Sequence, residues 1–402
     1  MDSAPHWHML QISDVLDEEL ACALSRDVEV TGWVPEFSFS RALFGRNGLA
    51  RRSSSPGTRF TTQALPLLRG YARAPEWLGS YLAKRLAQLI NETSAAPSRD
   101  VLVCTVPYFA GVAERWPGPV VYWLTDMIAQ YESARGVNVP LLDRRMCAAS
   151  TLVCPNSQRL AEYLEQQGCD ERKIVVLPNA TRQRNTLPGP LREPLLLKEF
   201  AGDNRPIAGV IGNLAGNMDW LLLEALVRQT CWLQWVFVGP TEMHIPDAAQ
   251  SRARMAVQHT ENTRFVGKKS YGALAEYARG FHVAVLPYRK CEPTYSGSST
   301  RFYEHLAACR PMLATRGFEE LLHKEPLLTL VDTPEQAIAA LDRLRECGFN
   351  DGAAEERWKA SQDGTWENRA RTMQNALADR LLVTRSVPDS LVQERSMHES
   401  FI

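Results

Sequence analysis

The chain reads Val283-Ala284-Val285-Leu286-Pro287, then Tyr288-Arg289-Lys290-Cys291-Glu292-Pro293-Thr294-Tyr295-Ser296-Gly297-Ser298-Ser299, then Thr300-Arg301-Phe302-Tyr303-Glu304-His305-Leu306-Ala307-Ala308. After Arg310-Pro311 it closes on Met312-Leu313-Ala314-Thr315. A short apolar run, a turn-rich loop, an amphipathic segment and a second apolar run spell strand, loop, helix and strand. Ser298, Ser299 and Thr300 stand where that helix begins. Hydroxyls and unpaired backbone N–H groups gather there at the positive end of the helix dipole and favour an anion. Arg301, on the first turn, is placed to neutralise a phosphate bidentately. Glu304 lies one turn later on the same face, where a carboxylate can accept two hydroxyl hydrogen bonds, as a ribose would offer. Together these residues suit a nucleoside diphosphate. A capped helix carrying one surface Arg–Glu pair is the reading they leave open.

The same alternation continues in both directions. Downstream, Leu327–Val331 reads as a strand and Pro334–Arg345 as a helix. Upstream come strands at Ile207–Gly212, Leu233–Gly239 and Thr263–Gly267, with helices at Trp220–Arg228 and Tyr271–Arg279. Residues Asn185–Arg205 hold Pro188, Gly189, Pro190, Pro194 and Gly202, a composition break that reads as a linker. Before it, strands are expected at Met9–Ile12, Val28–Val34, Asp100–Thr105, Pro119–Leu124, Thr151–Cys154 and Lys173–Leu177. Helices are expected at Leu16–Leu24, Trp77–Ile90 and Gln158–Gln167. Two strand–helix series in tandem predict two doubly wound parallel sheets, each binding ligands at the carboxyl ends of its strands.

The chain has 402 residues, 45% of them hydrophobic and 23% charged, with a net charge of -1. That length calls for two domains, and that balance points to no nucleic-acid partner. The nine cysteines form no Cys-x-x-Cys pair and the eight histidines show no clustered metal spacing. The N-terminus lacks a basic region followed by an apolar run, and no apolar run is long enough to span a bilayer, so a cytoplasmic protein is expected. One local feature departs from this balance. Between Arg41 and Arg85 stand Arg46, Arg51, Arg52, Arg59, Arg69, Arg73 and Lys84, nine basic residues in all against Glu76 alone, a net +8. Leu43, Phe44, Phe60, Leu65, Tyr71 and Trp77 are interleaved. This composition suits an anionic membrane surface or an acidic lipid-diphosphate acceptor, and equally a solvated basic loop.

The stretch from Ser298 to Thr315 resembles the donor-site signature of GT-B glycosyltransferases, and most nearly the branch of teichuronic acid and capsular polysaccharide glycosyltransferases. Val210–Leu222 resembles the first strand and loop of that family's donor domain, Trp235–Pro240 its second strand, and Arg264–Lys269 the turn beside the nucleobase. Cys154–Ser157 with Val175–Ala180 resembles the end of the acceptor domain. Gly364-Thr365-Trp366-Glu367 resembles the start of the helix that returns to the first domain. The resemblance spans about residues 100–380. It departs from the family at three places: the usual lysine is Arg301, the usual glycine is replaced at Cys309-Arg310, and Ser296 stands where the retaining branch often has a first glutamate.

The resemblance implies an α/β GT-B fold, two Rossmann-like domains facing across a cleft. The acceptor domain is expected at 1–184, a linker at 185–204, the donor domain at 205–365, a helix returning to the first domain at 366–384 and a tail at 385–402. It implies transfer of a sugar from a nucleoside diphosphate sugar, uridine or guanosine, to a glycan or lipid-linked acceptor. Gly212, Asn213, Lys268, Arg289, Ser298, Ser299, Thr300, Arg301 and Glu304 are the expected donor-binding residues. No metal and no cofactor is expected beyond the sugar nucleotide, since cationic side chains and a helix N-terminus can stabilise the leaving diphosphate. An inverting transfer needs a base for the acceptor hydroxyl. Asp126, closing Pro119–Leu124, is the expected catalytic residue; Asp14 is its rival, and a helix-capping role for Asp126 stays open. A nucleotide-sugar epimerase of the same architecture and a non-catalytic binding relative are the other readings.

Overall fold

The computed structural model describes residues 4–38, 51–52, 58–181, 189–190, 193–197, 200 and 202–386. The chain divides into two compact units, Met1–Leu177 with Glu367–Ile402, and Pro178–Trp366.

The first unit is built on β1 (Trp7–Leu10), β2 (Val30–Phe37), β3 (Arg51–Arg52), β4 (Phe60–Leu67), β5 (Val101–Cys104), β6 (Val120–Leu124) and β7 (Leu152–Pro155). The sheet order is β3-β4-β2-β1-β5-β6-β7. All pairings are parallel except the short β3–β4 pair. Every residue of β1, β5, β6 and β7 is buried, as strands covered on both faces require. The cover comes from α1 (Val15–Leu24), α2 (Glu76–Asn91), α3 (Ala110–Ala113), α4 (Val139–Ala149) and α5 (Gln158–Gln166). The chain moves from β1 to β2 on one side and later from β5 to β7 on the other. The order therefore reverses between β1 and β5.

The second unit repeats the plan. Its strands are β8 (Ile207–Ile211), β9 (Gln234–Val238), β10 (Thr263–Gly267), β11 (Val283–Leu286), β12 (Met312–Ala314) and β13 (Thr329–Leu330), in the order β10-β9-β8-β11-β12-β13. All are parallel. The helices are α6 (Trp220–Gln229), α7 (Ala248–Gln258), α8 (Leu274–Gly280), α9 (Thr300–Ala308), α10 (Pro334–Glu346) and α11 (Ala354–Asp363). Side-chain oxygens one residue before the helix begin several of them. Asp219 accepts from the N–H of Leu222, Asp247 from Ala249 and Gln250, and Thr333 from Gln336 ahead of Pro334. Trp220, Trp235, Phe237, Phe302 and Leu306 anchor one core under the sheet. The order reverses between β8 and β11.

The last helix, α12 (Trp366–Ser386), belongs from Glu367 onward with the first unit. Ala370, Met373 and Leu377 are buried, Arg26 pairs with Glu367 at 2.5 Å, and Arg380 donates to the Arg172 carbonyl at 2.8 Å.

Several expectations need correction. The boundary falls at Leu177/Pro178, not after residue 184. The supposed linker is not all connection: Leu195 N–H donates to the Arg279 carbonyl at 2.9 Å, and Phe200 and Leu197 pack into an apolar cluster of the second unit. Residues 185–188, 191–192, 198–199 and 201 lie outside the described residues, as do 387–402 of the tail. Lys173–Leu177 is not a strand of its own. It begins as a 3-10 turn, Glu171–Lys173, and then runs along β7 with one isolated bridge. The basic stretch contains β4, whose pairing with β2 runs over eight residues of each. Pro66 near its end hid that strand, because proline demotes a run that otherwise alternates. Arg41, Arg46, Leu43 and Phe44 lie outside the described residues. Helices α4, α7 and α11 went unread.

Candidate functional site

The reversal between β8 and β11 is where a doubly wound sheet opens a crevice at its carboxyl edge. Gly212 follows β8 and Gly239 follows β9, with φ of +148° and +150°. A Cβ on Gly239 would lie 1.7 Å from the Gly212 carbonyl oxygen, so the two strand ends cross where no side chain fits. A Cβ on Gly212 would sit 3.3 Å from Met218 Cε, 3.5 Å from the Tyr288 hydroxyl and 3.8 Å from Arg301 Nε. The bare backbone of Gly212 thus faces Tyr288, which follows β11, and Arg301, on the first turn of α9.

The loop after β8 is fastened to the loop after β11. Arg289 N–H donates to the Asn217 carbonyl at 2.8 Å, Asp219 N–H to that of Pro287 at 2.7 Å, and Met218 bridges Tyr288. Tyr288 is buried, which pushes its hydroxyl up to about 12; it stays protonated and can donate.

Helix α9 carries the charged pair. Arg301 Nη1 stands 2.5 Å from Glu304 Oε2, with the side chains 25% and 9% exposed. This is no surface pair: the carboxylate is largely taken out of water with the guanidinium beside it. Its neighbour His305 is fully buried, and burial lowers its pKa to about 3. Neither ring nitrogen of His305 has a hydrogen-bond partner among the described residues.

The start of α9 is held from two directions. Ser299 is the N-cap and accepts from Phe302 N–H. Its own N–H donates to Glu320 at 3.0 Å, and Glu320 also accepts from the Tyr303 hydroxyl. Asn179 N–H donates to Ser298 Oγ at 3.0 Å, and its side-chain amide donates to the Ser298 carbonyl at 2.8 Å and to Thr300 Oγ1 at 3.1 Å. Both hydroxyls accept from Asn179, and each keeps its own O–H to give. The family's glycine position is filled by Cys309, which closes α9 in the left-handed region at φ +58°. The buried Arg310 donates to the Phe281 carbonyl at 3.2 Å.

The structure therefore gathers Gly212, Arg301 and Glu304 with Ser298, Ser299 and Thr300 along one helix start and one strand end. Asn213, the next residue after Gly212, is exposed. Arg289 leans toward Asp247 at 3.4 Å. Lys268 follows β10, two strands away from the crevice at the sheet edge. Tyr288, Asn179 and Glu320 were not singled out in the sequence. Tyr288 had a usable signal, next after Pro287 at the end of the apolar run Val283–Leu286. Asn179 and Glu320 had none, since their partners lie far along the chain.

In the first unit, Asp126 follows β6 and is half-buried. Burial raises its carboxyl to about 6, against a hydrogen bond from Tyr131 and helped by the charge of Asp14. It caps no helix: the following turn, Ile128–Gln130, has no side-chain cap. Asp14 does cap. It accepts from Leu16 and Asp17 N–H at the start of α1, and Asp17 answers in a capping box. Asp17 is buried, and its carboxyl is pushed up to about 7.

His6, His8 and Asp100 form a group with metal-ligand side chains at the amino ends of β1 and β5. Most of its polar atoms are committed, although the buried His8 Nε2 has no hydrogen-bond partner among the described residues. Asp100 accepts from His6 N–H and the Ser94 hydroxyl, His6 Nε2 meets Thr31 Oγ1 at 2.9 Å, and His8 Nδ1 accepts from the Trp33 indole at 3.4 Å. That last bond leaves the His8 proton on Nε2, so the set reads as a polar staple, at the opposite end of the sheet from Asp126.

Residues 205–346 match the family model described as "Glycosyl transferases group 1". A search of curated proteins gives no match. Among solved structures, the chain is similar to sucrose-phosphate synthase from Thermosynechococcus elongatus (15% identity, 95% of this chain and 100% of that one, TM-score 0.66). It is similar to HepE from Anabaena in complex with UDP and glucose (12% identity, 93% and 99%, TM-score 0.65). It is also similar to a UDP-forming alpha,alpha-trehalose-phosphate synthase from Burkholderia vietnamiensis (13% identity, 94% and 99%, TM-score 0.66). Each match extends over both units, and the shared architecture is GT-B.

Proposed function

We propose that this GT-B glycosyltransferase, with a group 1 domain at residues 205–346, moves a hexose from a nucleoside diphosphate sugar to a glycan or lipid-linked acceptor in polysaccharide or glycoconjugate assembly. The observation that carries the reading is the meeting of Gly212, Tyr288, Arg301 and Glu304 at the switch point of the second sheet. Gly212 lets the diphosphate approach the backbone. Arg301 and the α9 start, with Ser298, Ser299 and Thr300, offset its charge; Asn213 and Arg289 follow the two strand ends there, while Lys268 stands two strands away at the sheet edge. Glu304 accepts from the ribose hydroxyls. UDP is the favoured nucleotide, since HepE is described in complex with UDP-glucose.

As the sugar–phosphate bond breaks, negative charge grows on the diphosphate, and donors already aimed there stabilise it without reorganising. Asp126 takes the proton of the acceptor hydroxyl as it attacks. A carboxyl raised to about 6 is ionised at neutral pH yet more basic than an ordinary aspartate. The protein works in the cytoplasm and needs no metal for this step.

The test is product analysis with the full chain, radiolabelled uridine and guanosine diphosphate sugars, and lipid-linked saccharide acceptors. Label moving to an acceptor, with nucleoside diphosphate released in equal amount, is the expected result. Donor consumed equally without acceptor, or converted to its epimer, contradicts it.

A further inference from the structure

Helix α2 turns Leu82, Ala83, Leu86, Ala87 and Ile90 into the first unit. Its other face is unusual: Trp77 is 73% exposed and Tyr81 46%, with exposed Lys84 following at helical spacing. Two large aromatic rings left in water on one helix stripe need an explanation, because burying each would be favourable. Phe37, at the carboxyl end of β2, is 59% exposed at the end of the sheet where α2 begins. From residue 58 to 91 the charges are Arg59, Arg69, Arg73, Lys84 and Arg85 against Glu76 alone. Among the described residues, no helix is long and apolar enough to cross a membrane.

We infer that this face of α2 docks on an anionic bilayer surface, with Trp77 and Tyr81 seated at head-group depth and Lys84 against lipid phosphates. The residue types select this occupant. Tryptophan and tyrosine combine an apolar ring with a polar edge and settle at the membrane–water interface. Lys84 stands on the stripe itself and the exposed Arg69 and Arg73 lie in the segment leading to its start, a charge complementary to anionic lipid, and each cation near such a surface adds to binding. A stripe of two rings is too small for a stable protein interface, which buries about 800 Å² on each partner. The inference deepens the lipid-linked acceptor reading and rests on it for its purpose: a docked enzyme meets an acceptor confined to the same surface.

The test is co-sedimentation of the full chain with vesicles of phosphatidylcholine alone or with about 30% phosphatidylglycerol. UDP-glucose binding and melting temperature are measured in parallel. Wild type should pellet with the anionic vesicles and not the neutral ones. Trp77→Ala with Tyr81→Ala should lower partitioning at least tenfold, and Lys84→Glu severalfold, with nucleotide affinity and melting temperature unchanged. The inference is overturned if wild type ignores anionic vesicles, or if both variants partition as wild type does. It is also overturned if the double variant instead dissolves a dimer, seen by ultracentrifugation, without vesicle binding. Loss of UDP-glucose binding with vesicle binding intact would sink the sugar-transfer reading and leave the docking face standing.

Discussion

At Gly239 a methyl group would lie 1.7 Å from the Gly212 oxygen, against backbone that cannot rotate away. Gly239→Ala should therefore cost at least about 3 kcal/mol, read as a shift of the urea midpoint. His305 allows a sharper test. Its folded pKa of about 3 lies below the unfolded value near 6.5, so the unfolded chain takes the proton first. The stability it allows is present above pH 6.5 and lost as pH falls below it. Between pH 7.5 and 5 the loss is about 2 kcal/mol, and His305→Leu should remove that part of the acid sensitivity in melts at the two pH values. Under the proposed mechanism Asp126 governs activity. Its folded pKa of about 6 predicts kcat/KM falling about tenfold per pH unit below 6, and level above it. Asp126→Asn should abolish that limb and lower the rate about 100-fold or more; an unchanged profile would remove Asp126 from the mechanism.

At the scale of elements, α9 would carry the proposed donor site, and its start is fixed by a residue far upstream. Asn179 binds Ser298 and Thr300, and two residues on Thr181 N–H donates to the Gly364 carbonyl at 2.8 Å. The segment leading into the second unit is thus tied to the helix that would hold the donor. Asn179→Ala leaves the Ser298 carbonyl without that donor. It should speed amide hydrogen exchange over residues 298–303 and weaken donor binding severalfold, with the protein still folded. This tie explains which part of the site was legible. Arg301 and Glu304 could be read because both lie on one helix, where spacing alone puts them on one face. Gly212 could be read because a glycine after an apolar run marks a strand end. Asn179 and Glu320 act through contacts between elements, and no local period reports those. Likewise β7 and β11 were plain as short apolar runs, whereas β4 was masked by Pro66.

At the scale of the molecule, two doubly wound sheets follow from strands buried on both faces and separated by helices. Each sheet reverses order beside its first strand, at β1/β5 and β8/β11, and Asp14 and Gly212 follow those first strands. The fold places sites at these edges; it does not choose a sugar or an acceptor. The proposed donor site rests on side chains, and the two on which the reading depends most are Arg301 and Glu304. Calorimetric titration of UDP-glucose into the wild-type chain and into Glu304→Ala tests them directly. The predicted result is a binding isotherm for wild type and an affinity ten- to a hundredfold lower, about 1.5–3 kcal/mol, for the variant. An isotherm for Glu304→Ala that overlays the wild-type one would contradict the account.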